Sequence, residues 1–185
     1  MATFQASPVE GPRDDGSSRG KLLFDLAGID LTRRVIDRAA LEQWNPHRGQ
    51  MALLDGIVWS SEDYSRGVAT KTLRRDEFWV SGHFPGRPIL PGVIMIEAGA
   101  QLSCYLFNVR RPKPEVVAFL RIEQASFRSM VTVGDELIIL SQEVKFGRRH
   151  FVSDVQGIVG DRLAFDARIS GMALSGARGR VAAEE

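Results

Sequence analysis

Thiol chemistry has almost nothing to work with in this chain, because one residue of 185, Cys104, is a cysteine. No intrachain disulfide can form. Cys104 lies within an apolar run, so it reads as a small buried thiol rather than a nucleophile. The three histidines, His47, His83 and His150, are far apart in sequence and have no cysteine partners, so no metal cluster is legible. Charge of one sign is also missing. Lys and Arg total 24 against 23 Asp and Glu, a net charge of +1, which removes any global electrostatic case for nucleic acid. The N-terminus lacks the basic-then-apolar pattern of a secretory signal. One apolar stretch, 93–109, is long enough to suggest a membrane span. Glu97, Gln101 and the Pro-Gly loop before them argue against that, and the expectation is a cytoplasmic protein without membrane insertion.

What remains is ordinary globular composition, 44% apolar and 25% charged, in a length that suits one domain with a substantial core. Residues 1–21 are rich in Gly, Ser, Pro and mixed charge with little to bury, and read as a flexible arm. The domain proper is expected over 22–174, followed by a loose tail over 175–185. Asp30-Leu31-Thr32 predicts the cap of a short helix reaching about Trp44, which Pro46 ends. Gln50 to Ser60 and Tyr64 to Leu73 read as two strands about a polar turn. After the breaker Arg110-Arg111-Pro112-Lys113-Pro114, strand-like runs follow at Val116–Ile122, Ala125–Val131, Glu136–Phe146, His150–Val159 and Leu163–Leu174. Leu137-Ile138-Ile139-Leu140 is continuously apolar, which predicts a strand covered on both faces. One long buried helix and about six antiparallel strands give an α+β class, and periodicity alone gives no more.

The chemistry concentrates in Gly82-His83-Phe84-Pro85-Gly86-Arg87-Pro88-Ile89-Leu90-Pro91-Gly92. Gly and Pro restrict the backbone, so His83 is expected to be held in a defined place. The loop opens onto the apolar helix, which carries a single carboxylate, Glu97. A histidine and a desolvated carboxyl group are the parts of proton-transfer catalysis. On residues alone, bland readings stand beside the functional ones. His83 could be a loop histidine bonded to backbone, Glu97 a structural acid, and Gly92 a packing glycine. Gln101, four residues after Glu97 on the same helical face, can orient the carboxyl group or satisfy nearby backbone.

Gly82-His83-Phe84-Pro85-Gly86, Pro91-Gly92-Val93, Glu97-Ala98 and Gln101 together resemble the β-hydroxyacyl-acyl-carrier-protein dehydratases of fatty acid synthesis. Pro46-His47-Arg48 with Leu53-Leu54-Asp55, and Phe127-Arg128 with Val131 and Gly134-Asp135, extend the likeness over residues 31–174. The resemblance implies a hotdog fold, in which a sheet curls round the helix and two sheets join edge to edge in a homodimer, with a trimer of dimers as a further option. It implies a hydro-lyase that converts (3R)-hydroxyacyl to trans-2-enoyl thioesters on acyl carrier protein, with neither metal nor redox cofactor. His83 would take the C2 proton, Glu97 would donate to the leaving hydroxyl, the amides of Gly92 and Val93 would bind the thioester carbonyl, and Gln101 would support Glu97. His83 and Glu97 would come from different subunits.

His47-Arg48 and Asp55 match the family and read as residues that build the dimer or fix the entry strand. Arg110, Arg111 and Lys113 are either solvated surface or a contact for the acidic carrier protein. A close relative that also isomerises the product typically has Asp at position 97, so Glu97 favours plain dehydration. A hotdog thioesterase and a non-catalytic acyl-binding protein are the alternatives.

Overall fold

The computed structural model describes residues 21–174, so the expected arm up to Gly20 and the tail from Ser175 lie outside the described residues. The elements in chain order are β1 (Ile36–Asp37), α1 (Arg38–Leu41), β2 (Gly56–Ser60), β3 (Arg66–Thr72), α2 (Gly92–Asn108), β4 (Val117–Phe127), β5 (Glu136–Phe146), β6 (His150–Val159) and β7 (Arg162–Ala173). The strands form one antiparallel sheet in the order β1-β2-β3-β5-β6-β7-β4. The chain leaves β3, crosses through α2 and lays β4 at the far edge beside β7. It then returns to pair β5 with β3.

The sheet buries side chains on both faces. Leu137 and Ile139 of β5 point inward with Ala69, Val155 and Phe165, against Met95, Ile96, Leu102 and Leu106 of α2. Their neighbours Ile138 and Leu140 point outward with Val58, Val68, Ile158 and Leu163. Alternate residues of a strand face opposite sides, so the unbroken Leu-Ile-Ile-Leu run serves two cores, as its pattern predicted. The outer core is roofed by Leu22, Leu23, Phe24, Leu26, Ile29 and Leu31, an extended strap just before β1. Gln156 secures the strap by accepting from the Leu23 amide at 2.9 Å and donating to the Lys21 carbonyl at 3.1 Å. A sheet wrapped round one buried helix is the hotdog fold.

Three local expectations change. The strand expected from Gln50 begins only at Gly56, because Gly49–Met51 form a 3-10 turn. The helix predicted from Asp30 to about Trp44 shrinks to the four residues of α1, because Ile36 pairs with Ile57 in the sheet instead. The cap is Asp37, whose Oδ1 accepts from the Ala40 amide at 2.8 Å. Asp30 closes its own turn onto Thr32, and those hydrogen bonds lower its pKa. The runs Val116–Ile122 and Ala125–Val131 are one strand, β4, because register shifts at Phe119/Arg121 and Ile122/Gln124 absorb the irregularity between them.

Helix α2 comes close to the sheet at Gly99, where an added Cβ would lie 2.9 Å from the Val155 Cβ. Replacing this glycine gains less than about 1 kcal/mol of helix propensity. Overpacking a closed core costs about 1–3 kcal/mol, and strand-held Val155 has little room to yield. Gly99→Val is therefore expected to lower the urea midpoint at fixed protein concentration, and a midpoint equal to that of the parent would contradict the close approach.

Candidate active site

The loop between β3 and α2 is anchored from beneath by a buried ion pair. Lys71 Nζ lies 2.8 Å from both oxygens of Glu77, and both side chains are almost fully buried. Glu77 also accepts from the Trp79 indole at 3.1 Å and from the Arg74 amide at 3.3 Å. With the ammonium bonded to both carboxylate oxygens and the carboxylate taking two further donors, the charges are tolerable inside the protein. The Trp79 carbonyl then accepts from the His83 amide at 2.8 Å and the Gly82 amide at 3.2 Å. The Ile89 amide donates to the His83 carbonyl at 2.8 Å, so both backbone groups of the histidine are fixed. Gly86, with φ of +77°, makes the turn between them.

His83 is half-buried and stacks against the Phe84 ring at 4.1 Å. Its Nδ1 lies 2.7 Å from the Ile89 carbonyl oxygen. A carbonyl only accepts, so Nδ1 carries a hydrogen, and in the neutral ring the lone pair lies on Nε2. The tautomer is thus fixed, with Nε2 as the nitrogen that can act as a base.

Gly92 begins α2 without a side-chain cap. Among the described residues, neither the Gly92 nor the Val93 amide has an acceptor, as expected for a first helical turn. With the helix dipole they form a site for developing negative charge. The glycine also has a packing role. A Cβ there would meet the Phe127 ring at 2.5 Å.

Glu97 lies on the opposite side of this region, at a cleft walled by His47, Cys104, Val117, Phe119 and Phe151. Gln101 Nε2 donates to Glu97 Oε1 at 2.9 Å. The same amide donates to the Met51 carbonyl at 2.8 Å, and its oxygen accepts from the Leu53 amide at 3.0 Å. Gln101 therefore does both things its position allowed: it satisfies backbone and orients the carboxyl group. His47 Nε2 is 3.3 Å from Glu97 Oε1. The sequence assigned His47 to the dimer or the nearby strand and missed this contact. The only signal available was the presence of a histidine in a matching segment, since 50 residues of chain separate the two.

Asp55 holds to its structural reading. Burial works against its charge, but hydrogen bonds from Thr72 and Arg38 and the nearby Arg74 prevail and lower its pKa. The carboxylate ties β3 to Arg38 at 3.0 Å and to the Thr72 amide at 2.7 Å. Arg110 pairs with Glu143 and lies over the Phe146 ring, while Arg111 binds Glu115 and lies over Phe107. Both arginines are held by intramolecular partners.

His83 and Glu97 do not meet within one chain. The His83 loop sits at the C-terminal end of β4, where Leu90 bonds Val131 and Ile89 bridges Thr132. The Glu97 cleft sits at the N-terminal end, against Val117 and Phe119. Between them, β4 has β7 on one side and, among the described residues, no strand on the other. Phe119, Leu120, Ile122 and Phe127 on this strand are 41%, 50%, 44% and 52% exposed.

Cys104, lining the Glu97 cleft, is buried, and that burial pushes its pKa up to about 12. It is therefore a protonated thiol throughout the neutral range. A disulfide reagent at pH 8 is expected to leave the native protein unmodified and to titrate one thiol after denaturation. Rapid native labelling would contradict the enclosed position.

A family model described as "FabA-like domain" matches residues 45–168 of the chain. The chain is 34% identical over 142 residues to the 3-hydroxyacyl-[acyl-carrier-protein] dehydratase FabZ of Koribacter versatilis, covering 75% of this chain and 89% of that protein. It is 33% identical over 136 residues to the FabZ of Desulforamulus reducens, covering 73% and 95%. Among solved structures, the dehydratase heterocomplex ApeI:P from Xenorhabdus doucetiae superposes with a TM-score of 0.64 at 17% identity, over 76% of this chain and 92% of that one.

Proposed function

The chain belongs to the FabA-like family, with FabZ dehydratases among its relatives, and we propose that it dehydrates (3R)-hydroxyacyl-[acyl-carrier-protein] to the trans-2-enoyl thioester in fatty acid biosynthesis. The observation that carries the reading is that one chain holds both a histidine oriented through Nδ1, His83, and a half-buried carboxyl group held by Gln101, Glu97. His83 Nε2 takes the C2 proton. The C–H electrons form the new double bond, the C3–O bond breaks, and Glu97 supplies the proton that lets the hydroxyl leave as water. Charge that builds on the thioester oxygen during proton removal is met by the amides of Gly92 and Val93. These groups fill every role in a redox-neutral elimination, so the proposal includes no metal or redox cofactor.

The site is completed by a second copy of the chain. An eleven-residue strand that is paired on one side only among the described residues, and that exposes Phe119, Leu120, Ile122 and Phe127, is a surface that proteins normally cover. A two-fold axis that pairs β4 antiparallel with its copy sets the N-terminal end of one strand beside the C-terminal end of the other. Glu97 of one subunit then faces the partner's His83, and the apolar strand faces are covered around the acyl chain. The remaining partner is acyl carrier protein, whose phosphopantetheine arm delivers the substrate. A cytoplasmic location belongs to the same proposal. No helix among the described residues is long and apolar enough to cross a membrane.

Incubation of the purified protein with (3R)-hydroxyacyl carrier-protein thioesters of graded length, read by mass spectrometry, is expected to show loss of water with the thioester intact. His83→Ala and Glu97→Gln should each slow this by about 10²–10⁴-fold while remaining folded. Release of free acid would indicate a thioesterase, and bound but unchanged thioester an acyl-binding protein. Either result overturns the proposal.

A further inference from the structure

Glu97 has two oxygens with unequal surroundings. Oε1 receives Gln101 Nε2 at 2.9 Å and has His47 Nε2 at 3.3 Å. Oε2 has no hydrogen-bond partner among the described residues. The Gln101 amide cannot flip, because its oxygen accepts from the Leu53 amide and its nitrogen donates to the Met51 carbonyl. Its remaining N–H therefore points to Oε1. The His47 ring is also constrained. Its Nδ1 is buried without a partner. A buried N–H left unbonded costs more than an unbonded lone pair, which places the proton on Nε2, toward Glu97.

The segment that carries His47 is clamped in place. Arg48 donates to the carbonyls of Asn45, His47 and Glu42 at 2.7–2.8 Å, and Asn45 Nδ2 donates to the Gln101 carbonyl on α2 at 2.8 Å. The histidine is thereby tied to the helix turn that bears the acid.

We propose that His47 is a positioning residue for Glu97: a neutral imidazole whose Nε2–H, with Gln101, engages Oε1 and reserves Oε2 as the oxygen that carries the reacting proton. The inference rests on the dehydratase reading, which gives Glu97 a proton to donate. As the C3–O bond breaks, the Oε2 proton moves to the departing oxygen, and negative charge spreads onto the carboxylate. The Gln101 hydrogen bond to Oε1 and the His47 N–H beside it, 3.3 Å away, stabilise that charge as it forms. Because the carboxyl group is neutral before the step, the interaction strengthens in the transition state, and its loss affects kcat more than KM.

His47→Phe keeps the ring but removes the donor, whereas His47→Gln retains an N–H of similar reach. The phenylalanine variant is expected to lose about ten- to hundred-fold in kcat, the range for a hydrogen bond to a charged group, with KM changed less than about threefold. The glutamine variant is expected to recover most of that loss. A folded phenylalanine variant with kcat within about twofold of the parent overturns the proposal, as does a glutamine variant no better than phenylalanine. Nitrogen-15 correlation spectra of the parent, with His47 assigned by its disappearance in His47→Gln, test the point without turnover. The neutral Nε2–H form is expected, and an Nδ1–H ring or an imidazolium at neutral pH overturns it. Failure of the dehydratase reading is distinguishable, because the parent itself would then turn over no hydroxyacyl thioester.

Discussion

Burial of α2 is the constraint on which the other parts depend. Its apolar side chains cover most of its circumference, and twelve of its seventeen residues are buried. Such a helix is stable only where other elements enclose it. The sheet does so by curling, and Gly99 lets the two surfaces approach at Val155. Once the helix is enclosed, its position determines the chemistry. Its first amides face outward without acceptors, Glu97 lies on its cleft side, and Gln101 locks that carboxyl group to the chain at Met51 and Leu53.

The second constraint is the unfinished edge of the sheet. Placing β4 beside β7 leaves a strand edge with no partner among the described residues, and the His83 loop and the Glu97 cleft lie at its opposite ends. On the proposed reading, stability and catalysis depend on the same event, because pairing of two such edges covers the strand and brings His83 to Glu97. The buried Lys71–Glu77 pair fits that proposal, in which a base that meets a group on another subunit needs a stiff loop.

Legibility in the sequence followed the range of the interactions. The His83 loop and α2 were readable because Gly, Pro and a continuous apolar run act locally, and the double-sided burial of β5 was readable from Leu137 to Leu140. The motif resemblance then supplied the hotdog fold and the dehydratase family, which the architecture and the relatives bear out. The segment before β1 was misread, because Val35 and Ile36 have a pairing partner at Ile57 that local helix patterning cannot reveal. Leu22 to Leu31 likewise covers a sheet face whose position is known only after folding. His47 beside Glu97 is the same kind of omission at the site, a contact made by tertiary packing and invisible to spacing.

The central claim is that each working site draws His83 from one subunit and Glu97 from the other. Mixing two inactive variants, His83→Ala and Glu97→Ala, under conditions that exchange subunits tests it most directly. With equal amounts, about half of the dimers are mixed, and each mixed dimer has one site with both residues intact and one with both replaced. The account predicts that roughly a quarter of normal activity returns. If both residues of a site came from one chain, every site would retain one lesion, and no recovery despite verified exchange would contradict the account.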